Sequence, residues 1–328
     1  MMPPMDPSLA AWAADQFDIS NCKIQQLPVE ASTRAFWRCT DGTNSWILMH
    51  SPPESENNSQ FVALSDVFRE VEVPVPDVLA CDLDRGFLVI EDVGSQSFYA
   101  TYRKGIVNEP LSVAVATILK IQSINSSLVP EYTAKRLNEE IHIFRDYLCC
   151  ELTQTTPAQL DAITPDLVGQ IDQLPRATVH RDFHCRNLLW SGVPPYIGVV
   201  DFQDALRGPV SYDLASLLYD CYWNHTKDDC TTAIREYWNN AEATSIPRMA
   251  SCSQMAIAVK FTAVQRLLKA AGIFVRLWIQ KNQSTHLPHV LPTLQKAQQL
   301  CMEYSPLTEL GNWLKQKVIP STSQRLGR

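Results

Sequence analysis

Two short segments of the chain carry side chains that could do chemistry together. In the first, VHRDFHCRNLLW, Asp182 follows a short apolar strand and Asn187 comes five residues later. In the second, IGVVDFQD, Asp201 stands where another apolar strand stops. A carboxylate at the end of a buried strand has a fixed position, from which it can accept a proton or bind a cation. Magnesium prefers oxygen ligands and keeps several waters, so one amide and one carboxylate suffice to hold it.

Phosphoryl transfer is the reaction that these residue types suit, because it needs positioned charge more than covalent help from the protein. We interpret Asp182 as the base that takes the proton of an acceptor hydroxyl, and Asn187 and Asp201 as ligands of Mg²⁺. The pattern H-R-D-x-x-x-x-N, followed closely by a strand that ends in Asp, is that of a kinase catalytic loop and metal loop. In the alternative interpretation the two aspartates only cap turns and Asn187 only bonds backbone.

The elements that must position these residues fall into two regions. The first ninety residues are β-rich, with predicted strands at 22–27, 34–40 and 45–50, a helix near 58–70, and a hairpin of 77–82 with 86–91. Later segments show helical spacing of apolar residues. They are 109–125, 131–152, 157–173, 211–225, 229–242, 249–281 and 289–302, interrupted by short strands at 177–179, 187–190 and 196–200.

We therefore predict an α+β fold with a boundary near residue 93. Residues 1–93 would form a nucleotide-binding N-terminal lobe that ends in a hinge. Residues 94–328 would form a larger, mostly helical catalytic and substrate-binding lobe. The end of the chain, KQKVIPSTSQRLGR, is predicted to be loose.

Composition excludes several classes of protein. The chain of 328 residues is 45% hydrophobic and 19% charged, as expected of a globular protein. Its net charge of −7 argues against general nucleic-acid binding. It has no long apolar run and no basic residue near its start, so we expect a cytoplasmic protein without a membrane span. Its ten cysteines form no CxxC pair, so neither a zinc site nor a disulfide framework is predicted.

The two chemical segments resemble those of a known superfamily. HRDFHCRN is similar to the catalytic loop, and VVDFQDA to the metal-binding segment, of the aminoglycoside phosphotransferases and choline kinases. The resemblance implies a bilobal, protein-kinase-like fold with ATP bound between the lobes. It implies a hinge from Glu91 to Val93 with both of these residues near the nucleotide. It also implies that Asp213 braces the catalytic loop.

Four further segments resemble one group within that superfamily, the bacterial anomeric sugar kinases of cell-wall recycling. They are 31–38 (ASTRAFWR), 47–54 (ILMHSPPE), 201–220 and 265–277. The resemblance implies ATP- and Mg²⁺-dependent phosphorylation of the anomeric hydroxyl of N-acetylmuramate and N-acetylglucosamine in peptidoglycan recycling. The partners it implies are an amino sugar and ATP, with no nucleic acid or membrane; the oligomeric state stays open.

The chain departs from the general kinase pattern in its first region. It has no glycine-rich loop, and ASTRAFWR takes that place, with Ser32, Thr33 and Arg34 as candidate phosphate contacts. Arg34 could instead be an exposed residue at the end of a strand. The strand ILMH offers Met49 or His50 where a lysine would be usual.

Arg186 and Asp204 are further candidates for contact with the acceptor, because they lie close in sequence to the base and to the metal ligand. Arg186 could instead pair with a neighbouring acid, and Asp204 could be solvated. Two other functions stay open. The acceptor could be an aminoglycoside, choline or another amino alcohol, or the chain could be a non-catalytic pseudokinase.

Overall fold

The computed structural model describes residues 5–17, 22–28, 33–194, 196–244 and 246–327. These residues form strands β1 Lys23–Gln26, β2 Ala35–Thr40, β3 Ser45–His50, β4 Val78–Asp82, β5 Phe87–Glu91, β6 Arg176–Val179, β7 Leu188–Trp190, β8 Ile197–Val199 and β9 Leu206–Pro209. Their α-helices are α1 Pro7–Gln16, α2 Asn58–Glu70, α3 Phe98–Tyr102, α4 Asn108–Ser123, α5 Ala134–Ile143, α6 Ala158–Asp172, α7 Tyr212–Leu218, α8 Lys227–Ala243, α9 Cys252–Lys281, α10 Leu287–Met302, α11 Thr308–Trp313 and α12 Ile319–Leu326. Phe144–Thr153 and Leu314–Val318 are π-helical, and Ser305–Leu307 is a 3₁₀ turn.

The N-terminal region is a five-stranded antiparallel sheet in the order β1-β2-β3-β5-β4. Side chains alternate between its faces with the period of two that strands impose. Ile47 and Met49 face α2 and pack with the core of the helical part, whereas Leu48 packs on the opposite face with Leu9 of α1. The strands and the α2 helix predicted from the sequence are confirmed, while α1 was not predicted.

The C-terminal part is mostly helical and is built around the long helix α9. Most of α9 is buried, including the polar residues Gln265, Arg266 and Lys269. Gly272 allows the π-helical segment to approach closely, since a Cβ there would stand 2.5 Å from the Phe144 backbone. Helix α7 ends at Leu218, earlier than the predicted segment 211–225.

The end of the chain corrects the prediction of a loose tail. Leu314–Val318 and α12 continue the helical packing almost to the C-terminus. Val318 and Thr322 are fully buried. The polar composition of the segment favoured disorder, but its few apolar positions recur at helical spacing and α12 packs on the π-helical segment Phe144–Thr153.

Two small two-stranded sheets flank the residues of chemical interest. β6 pairs with β9, and β7 pairs with β8, both antiparallel. β6 precedes the loop 180–187 and β7 follows it, so the loop is fixed at both ends. The α+β, bilobal kinase-like fold class is confirmed, and the exact boundary at residue 93 stays a prediction. Among the residues described, no helix is both long and apolar enough to cross a membrane.

Candidate active site

The Asn187 amide joins the two aspartates of the predicted trio. Its Nδ2 donates to the backbone carbonyl of Asp182 at 3.0 Å and to Oδ2 of Asp201 at 3.2 Å. The three residues come from two different loops, one before β7 and one after β8. The structure therefore brings together the residues that the sequence predicted to act together.

Positive charge surrounds the carboxylate of Asp182. The side chain is 38% exposed, and Arg266 Nη2 lies 3.8 Å from its Oδ1. Burial alone would raise the pKa of Asp182, but Lys269, Arg181 and Arg266 together hold it well below the usual value. The group is therefore a carboxylate throughout the physiological pH range.

A buried ionic network behind this carboxylate supplies two of those charges, Arg181 and Lys269. Glu140 accepts from Arg181 at 2.6 Å, and Lys269 lies 3.2 Å away. Gln265 and Tyr132 also donate to Glu140. Burial would raise the pKa of Glu140, but Lys269 and Arg181 lower it, so the acid is ionised. Because each charge has a partner, the network can be buried without an isolated ion.

Two further acids fix the catalytic loop through its backbone. Asp213 is fully buried and accepts from the amides of His180 at 2.8 Å and Arg181 at 3.0 Å. The predicted brace is thus confirmed in its geometry. Asp220 accepts from the amide of Cys185 at 2.9 Å and from that of Tyr222 at 2.8 Å. One carboxylate therefore ties the loop to the turn that follows α7.

The backbone at both aspartate loops adopts unusual conformations. Arg181 has φ 77° and Asp201 has φ 67°, the left-handed region that residues with a Cβ rarely occupy. His180 helps to hold them, since its Nε2 lies 3.0 Å from the carbonyl of Val200. Gln203 donates to Oδ1 of Asp201 at 2.7 Å. A left-handed backbone is strained at a residue with a Cβ. Such strain is typical of functional sites, where contacts with the surrounding structure hold the backbone in place.

A cleft of about 610 Å³ opens between the sheet and the helical part. This volume suits a ligand the size of a nucleotide. Apolar side chains from the sheet and from β7 line it together with several polar side chains. The lining includes Phe36, Ile47, Phe61, Ile90, Glu91, Asp92, Val93, Gly94, Leu189, Phe202, Arg34, Arg186, Asn187 and Asp201.

The predicted hinge segment lines this cleft and is held by Arg38. The guanidinium donates to both carboxylate oxygens of Asp92, at 2.6 and 2.9 Å, and to the carbonyl of Gly94 at 2.8 Å. The side chain of Glu91 turns outward to Arg69 at 3.2 Å, so only its backbone can serve a ligand in the cleft. A Cβ at Gly198 would stand 2.6 Å from the carbonyl of Val93, so the β7–β8 pair lies directly against the hinge.

The predicted phosphate segment is described from Thr33 onward, and Ser32 lies outside the described residues. Arg34 is almost buried and pairs with Glu56 at 2.8 Å. Its guanidinium lies over the ring of Phe61, 5.3 Å from the centroid. Thr33 donates to the same Glu56. Arg34 is therefore a cation held at the edge of the cleft, which excludes the alternative of an exposed strand end.

The two candidates for acceptor contact differ in position. Arg186 lines the cleft, and its Cζ lies 3.7 Å from the centroid of the Tyr222 ring. Asp204 is exposed and does not line the cleft; its carbonyl lies 3.4 Å from Nη1 of Arg181. The structure thus brings Arg186 but not the Asp204 side chain into the candidate site.

Four charged residues surround the site. Sequence reasoning gave Glu56 and Lys269 no role in it, and it favoured core packing for Glu140 and surface or intramolecular pairing for Arg266 over contact with the acceptor. Glu56 stands in a polar stretch before α2, and Glu140, Arg266 and Lys269 lie on amphipathic helices where charges usually face solvent. The only signal in the sequence that Glu140, Arg266 and Lys269 are buried is their position on otherwise apolar faces of their helices.

The donor set fits a magnesium ion bound with its nucleotide. Asp201 and Asn187 both line the cleft and present a carboxylate and an amide within hydrogen-bond distance of each other. The described residues contain no cluster of three or more His, Cys, Asp or Glu side chains that would form a closed metal cage. A magnesium ion that keeps several waters and also binds phosphate oxygens needs only one or two ligands from the protein.

Comparisons with known proteins show what the chain is similar to. Residues 23–251 match the model of the phosphotransferase enzyme family. The N-acetylmuramate/N-acetylglucosamine kinase of Pseudomonas aeruginosa is 32% identical, with 87% of this chain and 86% of that protein covered. The protein of the same name from Neisseria meningitidis is 31% identical, with 86% of each covered. The solved structure of an ADP-bound aminoglycoside phosphotransferase is similar in fold, with a TM-score of 0.60 at 16% identity over 90% of this chain and 99% of that chain.

Proposed function

The chain belongs to the phosphotransferase enzyme family, and from that membership we propose that it phosphorylates the anomeric hydroxyl of N-acetylmuramate and N-acetylglucosamine with ATP, in peptidoglycan recycling. The single observation that best supports a kinase site is the pair of hydrogen bonds from the Asn187 amide to the Asp182 carbonyl and the Asp201 carboxylate. The names of the curated relatives support the two amino sugars as acceptors. Because ATP is an intracellular metabolite, we place the reaction in the cytoplasm.

Asp182 is the proposed base. The acceptor hydroxyl donates its proton to the Asp182 carboxylate, the acceptor oxygen bonds to the γ-phosphorus, and the bond to the β,γ-bridging oxygen breaks to release ADP. The neighbouring cations make Asp182 a weak base. Such a base takes the proton late, which suits a loose transition state with little bonding to the acceptor.

Asn187 and Asp201 are the proposed magnesium ligands. A bound Mg²⁺ would neutralise charge on the phosphates. The chain supplies one neutral and one anionic oxygen from rigid positions after β6 and β8. The backbone of Asp201 is left-handed, and its carboxylate accepts from the Asn187 amide.

The cleft is the proposed nucleotide site. The backbone of Glu91 and Val93 would meet the adenine, as at a kinase hinge, and Ser32, Thr33 and Arg34 would meet the phosphates. The Arg34–Glu56 pair would do the work of the strand lysine and helix glutamate of protein kinases. Met49 is fully buried, His50 packs on Phe87, and neither side chain lines the cleft. We therefore propose that residues 1–93 form the nucleotide-binding lobe and residues 94–328 the catalytic lobe.

The test is an ATP-consumption assay of the purified protein with N-acetylmuramate, N-acetylglucosamine, glucose, kanamycin and choline, with the phosphorylated position read by NMR. We expect 1-phosphates of the two N-acetyl sugars. Asp182→Ala should lower kcat by about 10²- to 10⁴-fold while ATP binding persists. Phosphorylation of kanamycin or choline alone would refute the sugar acceptors. Full turnover in Asp182→Ala would refute the base.

A further inference from the structure

Arg186 contacts aromatic side chains from outside its own loop, among them Tyr222 and His289. Its guanidinium lies on the ring of Tyr222, with Cζ 3.7 Å from the centroid. Its Nη2 lies 3.3 Å from Nε2 of His289. Because a guanidinium can only donate, Nε2 of His289 must be the acceptor. We call Arg186, Tyr222 and His289 the arginine cradle.

Neighbouring rings fix the cradle in turn. His289 meets Tyr222 edge-on with 4.9 Å between ring centroids. Phe274 of α9 stacks on His286 at 4.9 Å, with an angle of 7° between the rings. The cradle and its supports come from the catalytic loop, the turn after α7, α9 and α10. Such convergence from distant segments gives a cation a defined orientation before any ligand arrives.

The face of α9 relates the cradle to the proposed base. Arg266 lies beside Asp182, and Phe274 lies 6.1 Å from Tyr222 and 6.4 Å from His289 between ring centroids. Eight residues separate Arg266 from Phe274, which is about 12 Å along a helix. The proposed base and the cradle therefore both lie along α9, and Asp182 and Arg186 belong to the same loop.

We propose that the arginine cradle binds the carboxylate of the 3-O-lactyl group of N-acetylmuramate while the anomeric hydroxyl lies at Asp182. This inference rests on the proposed function. The lactyl group is the one feature that N-acetylmuramate has and N-acetylglucosamine lacks. A guanidinium has five N–H donors in one plane, and stacking on an aromatic ring fixes that plane, which suits recognition of a planar carboxylate. His289 is a positioning residue, because it acts on the sugar through Arg186.

The decisive measurement is the ratio of kcat/KM for N-acetylmuramate to that for N-acetylglucosamine, because the two sugars differ only in the lactyl group. Arg186→Gln should lower this ratio about 10- to 100-fold, the range for loss of a charge-assisted hydrogen bond. Arg235→Gln, on the exposed face of α8, serves as the matched control and should keep the wild-type ratio. A parallel loss on both sugars with a raised KM for ATP would assign Arg186 to the phosphates and overturn the proposal.

A pair of substitutions at position 289 tests the positioning role. His289→Phe keeps a ring against Tyr222 but has no acceptor for Arg186, so the ratio should fall. His289→Asn offers a carbonyl oxygen and should restore most of the ratio. If both variants keep the wild-type ratio, His289 does not position Arg186.

Calorimetric binding of the two sugars separates this proposal from the proposed function. A wild-type protein that binds N-acetylmuramate more tightly, loses that preference in Arg186→Gln, and phosphorylates neither sugar would refute the function and support the cradle. Phosphorylation of both sugars with equal binding in wild type and Arg186→Gln would support the function and overturn the cradle. Thermal melts of each variant confirm that it is folded.

Discussion

Arg266 Nη2 lies 3.8 Å from Oδ1 of Asp182, and the two residues come from segments 84 positions apart in the chain. Arg266 is buried in α9 and also donates to the carbonyl of Arg181 at 3.3 Å. The guanidinium therefore holds both the carboxylate and the backbone of the same loop. Its charge helps to set the protonation of the proposed base.

Replacing this cation should change the pH profile of the reaction. Activity requires ionised Asp182, whose pKa is lowered by Lys269, Arg181 and Arg266 against the effect of burial. Arg266→Gln removes one of these charges, so the pKa of Asp182 rises and the acidic limb of kcat/KM moves to higher pH. Arg266→Lys keeps the charge and should shift the limb less. Superimposable acidic limbs in all three proteins would contradict this electrostatic role.

Asp201 should matter for the metal–nucleotide complex. Asp201→Ala removes the anionic oxygen beside Asn187, so we expect affinity for Mg·ATP to fall about tenfold or more, in the range for loss of a charged contact. Calorimetry at several Mg²⁺ concentrations measures this loss. Asp166→Asn, exposed on α6, is the control and should bind as wild type. An Asp201→Ala protein with wild-type affinity at every Mg²⁺ concentration would rule out the metal role.

The pair of Arg34 and Glu56 should act on ATP rather than on the sugar. Arg34→Ala removes the proposed phosphate cation, and we expect the KM for ATP to rise about 10- to 100-fold. Glu56→Gln leaves the cation but loosens its position, so its effect should be smaller. Initial rates with each substrate varied in turn distinguish the two cases. If Arg34→Ala raises only the sugar KM, Arg34 does not serve the nucleotide.

Gly198 offers a steric test of the hinge. A Cβ at this position would meet the carbonyl of Val93 at 2.6 Å and its Cβ at 2.9 Å. Gly198→Ala should therefore displace the hinge, weaken ATP binding and cost about 1–3 kcal/mol of unfolding free energy. Gly169→Ala is the control, because nothing lies within 4 Å of its Cβ position in α6. It should stabilise the fold by about 0.5–1 kcal/mol. Urea unfolding measures both, and equal behaviour of the two variants would exclude the steric explanation.

The sequence predicted those parts of the site that are local in the chain. Asp182, Asn187 and Asp201 lie within twenty residues and at the ends of short apolar strands, so their meeting follows from strand geometry. Arg266 and Glu140 could not be placed in this way. Their contacts join residues 84 and 41 positions from the loop they serve, and only tertiary packing brings them together.

The fold was predictable to a similar degree. The strands and α2 of the first region, and most long helices, have a clear apolar period, and the structure confirms them. Helix α12 was missed because its sequence is polar and its stability comes from packing on the π-helical segment near Phe144 rather than from its own propensity. Such tertiary stabilisation leaves little trace in composition.

The carboxylate of Asp220 has a consequence for how acceptor preference can change. It accepts from the amides of Cys185 and Tyr222, so the loop that carries the base and the turn that carries the cradle tyrosine share one anchor. Both contacts use backbone amides, so they do not depend on which side chains stand at positions 185 and 222. On the proposed role of the arginine cradle, substitutions at Tyr222 should change which alcohol is accepted while the reacting carboxylate keeps its position. Acceptor range in this chain should accordingly be easier to evolve or engineer than catalytic geometry.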